Sequence, residues 1–274
     1  MRVGIIGIGT VGQALARGFL RAGVEDLAGT TAHPASAERA RRALGIPVST
    51  DNRALVCDRD ILILAVKPSA VAGVVGEIAP RVTPHQTLVT LAAATPTARV
   101  EGLLGSGVPV IRAMPNTPCA VGAGMTVLCP GRSAGPDQLS VVQALFATVG
   151  RVALVEDEDL MSVVTALSGS GPAYTFIILE ALSEGGVKMG LPRALATELA
   201  AQALLGGAAL ALESGQHPAL LKADVTTPAG VTIDGLLALE EGGVRVSLIK
   251  AVIAATERSA QLASLLDRDA SRPT

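Results

Sequence analysis

The chain has no tryptophan, one tyrosine and three phenylalanines in 274 residues, and only three histidines and three cysteines. With so few aromatics and no Lys/Arg run it has neither a stacking platform nor a basic stripe, which argues against nucleic acid or an anionic membrane as partner. His33, His85 and His217 form no ligand-like pair and read as loop residues, and Cys57, Cys119 and Cys129 fall in no C-x-x-C pattern, so no metal centre is expected. No N-terminal segment joins a basic start, a long apolar core and a small-residue cleavage site; a reducing cytoplasm is the expected compartment. The longest apolar helical stretch, Leu199 to Leu212, is interrupted by Gln202 and falls short of the roughly 20 residues of a membrane span, so no membrane helix is expected.

What the chain has is aliphatic residues: mean hydropathy is +0.49 and formal net charge is −2. The length allows two domains of ordinary size with ample core. From Met1 to about Val155, short runs rich in Val, Ile and Leu alternate with helical stretches: Arg2 to Ile6, Asp26 to Thr30, Asp60 to Ala65, Thr87 to Leu91 and Pro109 to Ala113. Alternation of this kind predicts βαβ units around a parallel sheet, finished by strands at Met125 to Leu128 and Arg151 to Val155. Beyond Glu156 only helix punctuation remains. Ser170-Gly171-Pro172 starts a helix that Gly190 stops, and Pro192 opens one that Gly215 closes. Further helices are expected from Pro218 to Ala223, Thr232 to Glu240 and about Val244 to Leu266, with a polar, frayed tail from Asp267 to Thr274. Helices this rich in Ala and Leu, charged mainly at their ends, are expected to pack against a second subunit.

Gly7-Ile8-Gly9-Thr10-Val11-Gly12 follows the first strand and opens a helix. This is the G-x-G-x-x-G arrangement of dinucleotide-binding folds, in which the glycines permit the tight turn, close backbone approach to a pyrophosphate and helix-strand packing. The N-terminal half therefore reads as a Rossmann-type doubly wound domain, residues 1–155, and residues 156–274 as an all-α oligomerisation and substrate domain. After the second strand come Thr30, Thr31, Ala32 and His33, hydroxyls where NAD-preferring folds present an acid. NADP is favoured, with NAD second; Arg39 and Arg42 on the next helix are either a 2′-phosphate site or a solvated face.

The loop Asp224-Val225-Thr226-Thr227-Pro228-Ala229-Gly230-Val231-Thr232 stands apart in its aliphatic surroundings. Hydroxyls, a proline and a glycine at a helix start predict exposed N–H groups suited to a carboxylate or phosphate, although Thr226, Thr227 and Thr232 can equally be helix caps.

Together with that loop, Ala65-Val66-Lys67-Pro68, Arg112-Ala113-Met114-Pro115-Asn116-Thr117-Pro118 and Ser168-Gly169-Ser170-Gly171-Pro172-Ala173-Tyr174 resemble the signatures of pyrroline-5-carboxylate reductases. The resemblance runs essentially end to end and is densest from Val163 to Arg258. It implies that NADPH delivers a hydride to the C=N carbon of a cyclic imine bearing a carboxylate, giving L-proline. It further implies a cofactor groove lined by Ile6, Gly7, Ile8, Gly9, Thr10, Val11, Gly12, Thr31, Asn52, Ala65, Val66, Lys67, Pro68, Ala92 and Ala93. For Asn52 the residues alone favour a turn former, and Lys67 either faces the ligands or ends its strand in solvent. The substrate carboxylate is implied to sit on the backbone near Gly230, Val231 and Thr232, with the Thr232 hydroxyl as the catalytic group at the ring nitrogen, Thr227 adding a hydroxyl and Glu158 a carboxylate. By residues alone, Glu158 is a first-turn partner of a helix dipole.

Two positions depart from the family pattern. Ala229 stands where a glycine is usual and is expected to be tolerated only at negative φ. Asp224 replaces a common asparagine, so a cofactor contact there loses a donor. The competing readings are a related imine or hydroxyacid dehydrogenase acting on another small carboxylate, and a non-catalytic NADP-binding sensor. A hydroxyacid dehydrogenase would be expected to carry a lysine in the interdomain helix, which Ser168 to Ile178 lacks.

Overall fold

The structure is a computed structural model that describes residues 1–105 and 107–270, with side chains to residue 265. In chain order its elements are β1 (Val3–Ile6), α1 (Thr10–Arg21), β2 (Leu27–Thr30), α2 (Pro34–Leu44), β3 (Val48–Ser49), α3 (Asn52–Val56), β4 (Ile61–Leu64), α4 (Val71–Ile78), β5 (Thr87–Thr90), α5 (Thr97–Leu104), β6 (Val110–Pro115), β7 (Gly124–Pro130), α6 (Pro136–Ala147) and β8 (Gly150–Leu154). Helices follow: α7 (Met161–Val164), α8 (Gly171–Lys188), α9 (Arg193–Ser214), α10 (Pro218–Asp224), α11 (Val231–Glu241) and α12 (Val244–Ala270).

The strands form one sheet in the order β3-β2-β1-β4-β5-β6-β7-β8. The order reverses between β1 and β4, the switch at which a doubly wound sheet opens a crevice beyond its carboxyl ends. The expected parallel sheet holds through β6, but β7 runs antiparallel to β6, with β8 parallel to β7. The reversal follows from the short link Asn116 to Ala123, which has no room for a crossover helix and carries only a 3₁₀ turn, Thr117–Val121. The two-residue β3 escapes the sequence pattern because periodicity needs a longer run. β1, β4 and β5 are buried at every position, as expected of central parallel strands covered on both faces.

The chain divides into two compact units, Met1–Ser170 with the helix from Ala254 onward, and Gly171–Ile253. Strand signals do stop at Leu154, yet the units part at Ser170/Gly171 rather than at the expected 155/156, since the 3₁₀ turn Glu158–Leu160, α7 and a π turn, Thr165–Gly169, belong with the sheet. Helix punctuation is as expected: Gly190 (φ +100°) follows α8, and Gly215 caps α9 in the left-handed conformation. The last helix continues to Ala270, past the expected end at Leu266; residues 271–274 of the expected frayed tail lie outside the described residues.

In the second unit the helices bury little of themselves: Ser183 in α8 and Ala196 and Ala200 in α9 are the buried residues. Glu158–Lys188 and the 22-residue α9 are both long and apolar enough to cross a membrane. This overturns the expectation that no apolar helix reaches that length, because α9 stays apolar on average from Arg193 to Ser214 in spite of Gln202.

Candidate active site

The glycine turn joins β1 to α1 at the switch of the sheet. Gly7 has φ +98°, and a side chain there would meet the Ala65 carbonyl at 2.8 Å. A Cβ on Gly12 would stand 2.4 Å from the Gly7 carbonyl, so Gly12 is buried in helix-strand packing and does not face a ligand. Gly9, the residue before α1, has open space where a side chain would be. The roles are those expected of tight turn, close helix packing and backbone approach.

A groove of about 410 Å³ lies above this turn. Of the expected residues it is lined by Ile6, Gly7, Ile8, Gly9, Thr31, Asn52, Ala65, Val66 and Lys67. Thr10 lines an adjoining cleft with Gly9 and Gln13. Val11 lines a cavity of about 110 Å³ that shares Ala65 and Val66 with the groove and adds Leu91, Met114 and Pro115. Pro68 begins the 3₁₀ turn whose next residues, Ser69 and Ala70, line the groove. Ala92 and Ala93 lie off it: Ala92 is buried, with its N–H donated to Thr90 Oγ1, and Ala93 packs beside Met114 and Val127. Ala92 is buried and Ala93 half-buried, a difference that strand placement alone does not show.

At the far end the groove meets His33, which follows the hydroxyl-bearing end of β2, and Ser36 and Thr50, which no sequence motif marks. No carboxylate is among the lining residues. Arg39 donates to Ser36 Oγ at 3.0 Å, whereas Arg42 is paired with Glu38, so of the two arginines only Arg39 is tied to the groove wall. Asn52 is the first residue of α3, which Asp51 caps through its side chain; its amide bridges Thr30 and Glu77.

Glu158 is committed to the fold. Its carboxylate accepts from the Thr97 N–H (2.9 Å), the Thr97 hydroxyl (2.7 Å) and Arg112 Nη1 (3.1 Å). Pro96 precedes α5 and offers no side-chain cap, so Glu158 caps that helix from 61 residues away. Arg112 is buried and Glu158 is its countercharge. Burial, with Glu158 adding to it, pushes the nearby Cys129 thiol up to about 11. The dipole partner read from sequence is therefore α5, not the helix Glu158 begins. Asn116 ties the π turn down: its amide donates to the Ser168 carbonyl and accepts from the Met125 N–H.

The second candidate element lies in the other unit. Thr227 to Gly230 form a tight turn in which the Gly230 N–H donates to the Thr227 carbonyl at 2.9 Å. Pro228 takes the first corner and Ala229 the second, with φ +57°. The expectation of negative φ is wrong: the turn demands the left-handed conformation after proline and holds the alanine in it, at a cost of about 1 kcal/mol. A Cβ on Gly230 would stand 2.4 Å from Thr227 Oγ1, so the Thr227 hydroxyl folds over the glycine. Thr226 donates its hydroxyl to the Ala223 carbonyl. Gly230 precedes α11 with no side-chain cap, and among the described residues the N–H groups of Val231 and Thr232 meet no acceptor. Two open donors at the positive end of an 11-residue helix are an arrangement suited to an anion. Asp224 ends α10; its carboxylate accepts hydrogen bonds and donates none.

Residues 158–262 match the family model described as pyrroline-5-carboxylate reductase dimerisation, and residues 2–94 the one described as NADP oxidoreductase, coenzyme F420-dependent. A pyrroline-5-carboxylate reductase of Methanosarcina acetivorans is 41% identical over 264 residues, 95% of this chain and 97% of the relative. The chain belongs to the pyrroline-5-carboxylate reductase family. Another member, from Glycine max, is 41% identical over 95% of each chain. Among solved structures, the Plasmodium falciparum pyrroline carboxylate reductase with NADP bound superposes with a TM-score of 0.86 at 30% identity, covering 96% of this chain and 98% of that one. The Coxiella burnetii pyrroline-5-carboxylate reductase gives 0.84 at 34% identity, covering 95% and 98%.

Proposed function

We propose that the protein is an NADPH-dependent reductase that converts L-1-pyrroline-5-carboxylate to L-proline, the last step of proline biosynthesis. The observation that carries this reading is the 41% identity over 95% of the chain to a reductase of that name, which spans both the glycine turn and the α11 loop. NADP fits the groove: Gly9 leaves room for a pyrophosphate, and the far wall offers Thr31, Ser36 and the Ser36-bound Arg39 with no lining carboxylate to repel a 2′-phosphate. NAD is the second candidate.

The bound reduced nicotinamide supplies the hydride. A protonated imine already accepts hydride readily, so the protein's work is holding and shielding. The N–H groups of Val231 and Thr232 take the ring carboxylate. The Thr232 hydroxyl oxygen accepts from the protonated ring nitrogen and keeps its proton in place, while Thr227 shapes the turn. Glu158, whose oxygens serve α5 and Arg112, acts through the fold.

The protein is further proposed to be a cytoplasmic homo-oligomer built from dimers through its C-terminal helices. The match to the dimerisation model over 158–262 and the exposed Phe176, Ile177 and Leu205 support a second copy, rather than lipid, as the cover for those faces. Free thiols at Cys57, Cys119 and Cys129 are compatible with a reducing compartment.

The test is NADPH oxidation, followed by absorbance, with pyrroline-5-carboxylate as substrate and with NADH and a carboxylate-free pyrroline as controls. Turnover with NADPH, reduced for the pyrroline without a carboxylate, is expected. No turnover with either cofactor would sink the enzymatic reading; equal rates without the carboxylate would remove the anion site from the mechanism.

A further inference from the structure

We propose that Glu77 is a positioning residue for the cofactor: it fixes which end of the Asn52 amide faces the groove. Thr30 Oγ1 donates to Asn52 Oδ1 at 2.7 Å, and Asn52 Nδ2 donates to Glu77 Oε2 at 2.9 Å. Thr30 is buried on β2 and Glu77 half-buried on α4, so the amide is held between two rigid elements. Asn52 and Thr30 line the groove; Glu77 is not among the lining residues and stands behind Asn52.

A carboxylate only accepts, so the amide must turn its nitrogen toward Glu77; the reversed amide would set Oδ1 against a carboxylate oxygen. Thr30 cannot make that choice, because a hydroxyl donates or accepts as required. Glu77 occupies one of the two N–H groups on Nδ2, and the other stays with a side chain on the groove wall. Asn52 is thereby fixed as a donor, the complement of a ribose or phosphate oxygen. This inference rests on reading the groove as the NADPH site.

The experiment measures NADPH affinity by fluorescence titration of the whole protein, with steady-state kinetics and melting alongside, for Glu77→Leu, Glu77→Gln, Asn52→Ala and the double variants. Glu77→Leu is expected to weaken NADPH binding about tenfold, near the lower end of one hydrogen bond to a charged group, and Glu77→Gln, which allows both amide orientations, about threefold. Turnover at saturating NADPH should stay within about twofold, because the imine site is untouched. In the Asn52→Ala background neither Glu77 substitution should weaken binding further. Undiminished affinity in Glu77→Leu would overturn the proposal. So would equal losses with and without Asn52, the outcome of a purely structural role, which lower melting alone would accompany. A wild-type protein that fails to bind NADPH would instead overturn the reading of the groove, and this inference with it.

Discussion

The two compact units are built from the same aliphatic residues and use them in opposite ways. In the first, Val3, Ile5, Leu62, Ile63 and Val89 are fully buried between helix layers, and Glu158 pairs with Thr97 and Arg112 across long stretches of chain. In the second, Phe176, Ile177, Leu205 and Leu212 are more than half exposed, and Val231 and Thr232 leave backbone donors open. A central strand needs covering on two faces, which its own crossover helices provide. A helix apolar all round needs more neighbours than one chain brings. The first unit covers its strands within one chain; the second leaves apolar surface and backbone donors exposed.

Removing a paired group from the first unit should have a large effect. Glu158→Ala strands the buried Arg112 and uncaps α5, and should lower stability by about 3 kcal/mol in denaturant unfolding. An unchanged midpoint with a raised KM for the imine would move Glu158 to the substrate site after all.

Leucines in the two units should respond differently. Leu62→Ala, at a fully buried position, should cost about 2–5 kcal/mol. Leu205, 61% exposed in the single chain, should tolerate aspartate in an isolated monomer. If a second copy covers α9, Leu205→Asp should reduce the mass seen by light scattering. Unchanged mass would break the contrast drawn between a complete unit and an open one.

Thr232→Ala tests the open donors more finely. It removes the hydroxyl but keeps both N–H groups, so kcat/KM for the imine should fall about a hundredfold, roughly 2.7 kcal/mol of transition-state stabilisation, with NADPH affinity unchanged. Loss of cofactor affinity instead would contradict a substrate role for this loop. The smallest effect is expected at Ala229. Ala229→Gly relieves the left-handed strain at φ +57° but frees the unfolded chain, so the net change should be a gain of no more than about 1 kcal/mol in thermal melting. A clear loss would mean that the alanine methyl packs against something this chain alone does not hold.

Much of the fold was legible because its signals are local. Alternating strand and helix runs located seven of the strands, and Gly190 and Gly215 marked helix ends through a conformation that needs only a few residues to specify. The glycine turn, Gly7 to Gly9, was legible for the same reason, whereas the groove residues Asn52 and Ala65 to Lys67 were reached only through the resemblance to the reductase family. Ser36 and Thr50 carry no motif, and Ala92 and Ala93 are not among the groove's lining residues, so the far wall and the edge after β5 were not readable.

By itself the sequence determined the βα order, the glycine turn after β1, the hydroxyl-bearing end of β2 and a helix start at the end of the Asp224 to Thr232 loop. These are set by periods of two or 3.6 residues and by caps within one turn. The tertiary structure decided that β7 runs antiparallel, that Glu158 serves α5, that Glu77 holds Asn52 and that Ala229 takes positive φ. Partners 61 and 25 residues apart meet only once the sheet has formed. At Ala229 a turn closed by its own hydrogen bond outweighs the preference of a single residue.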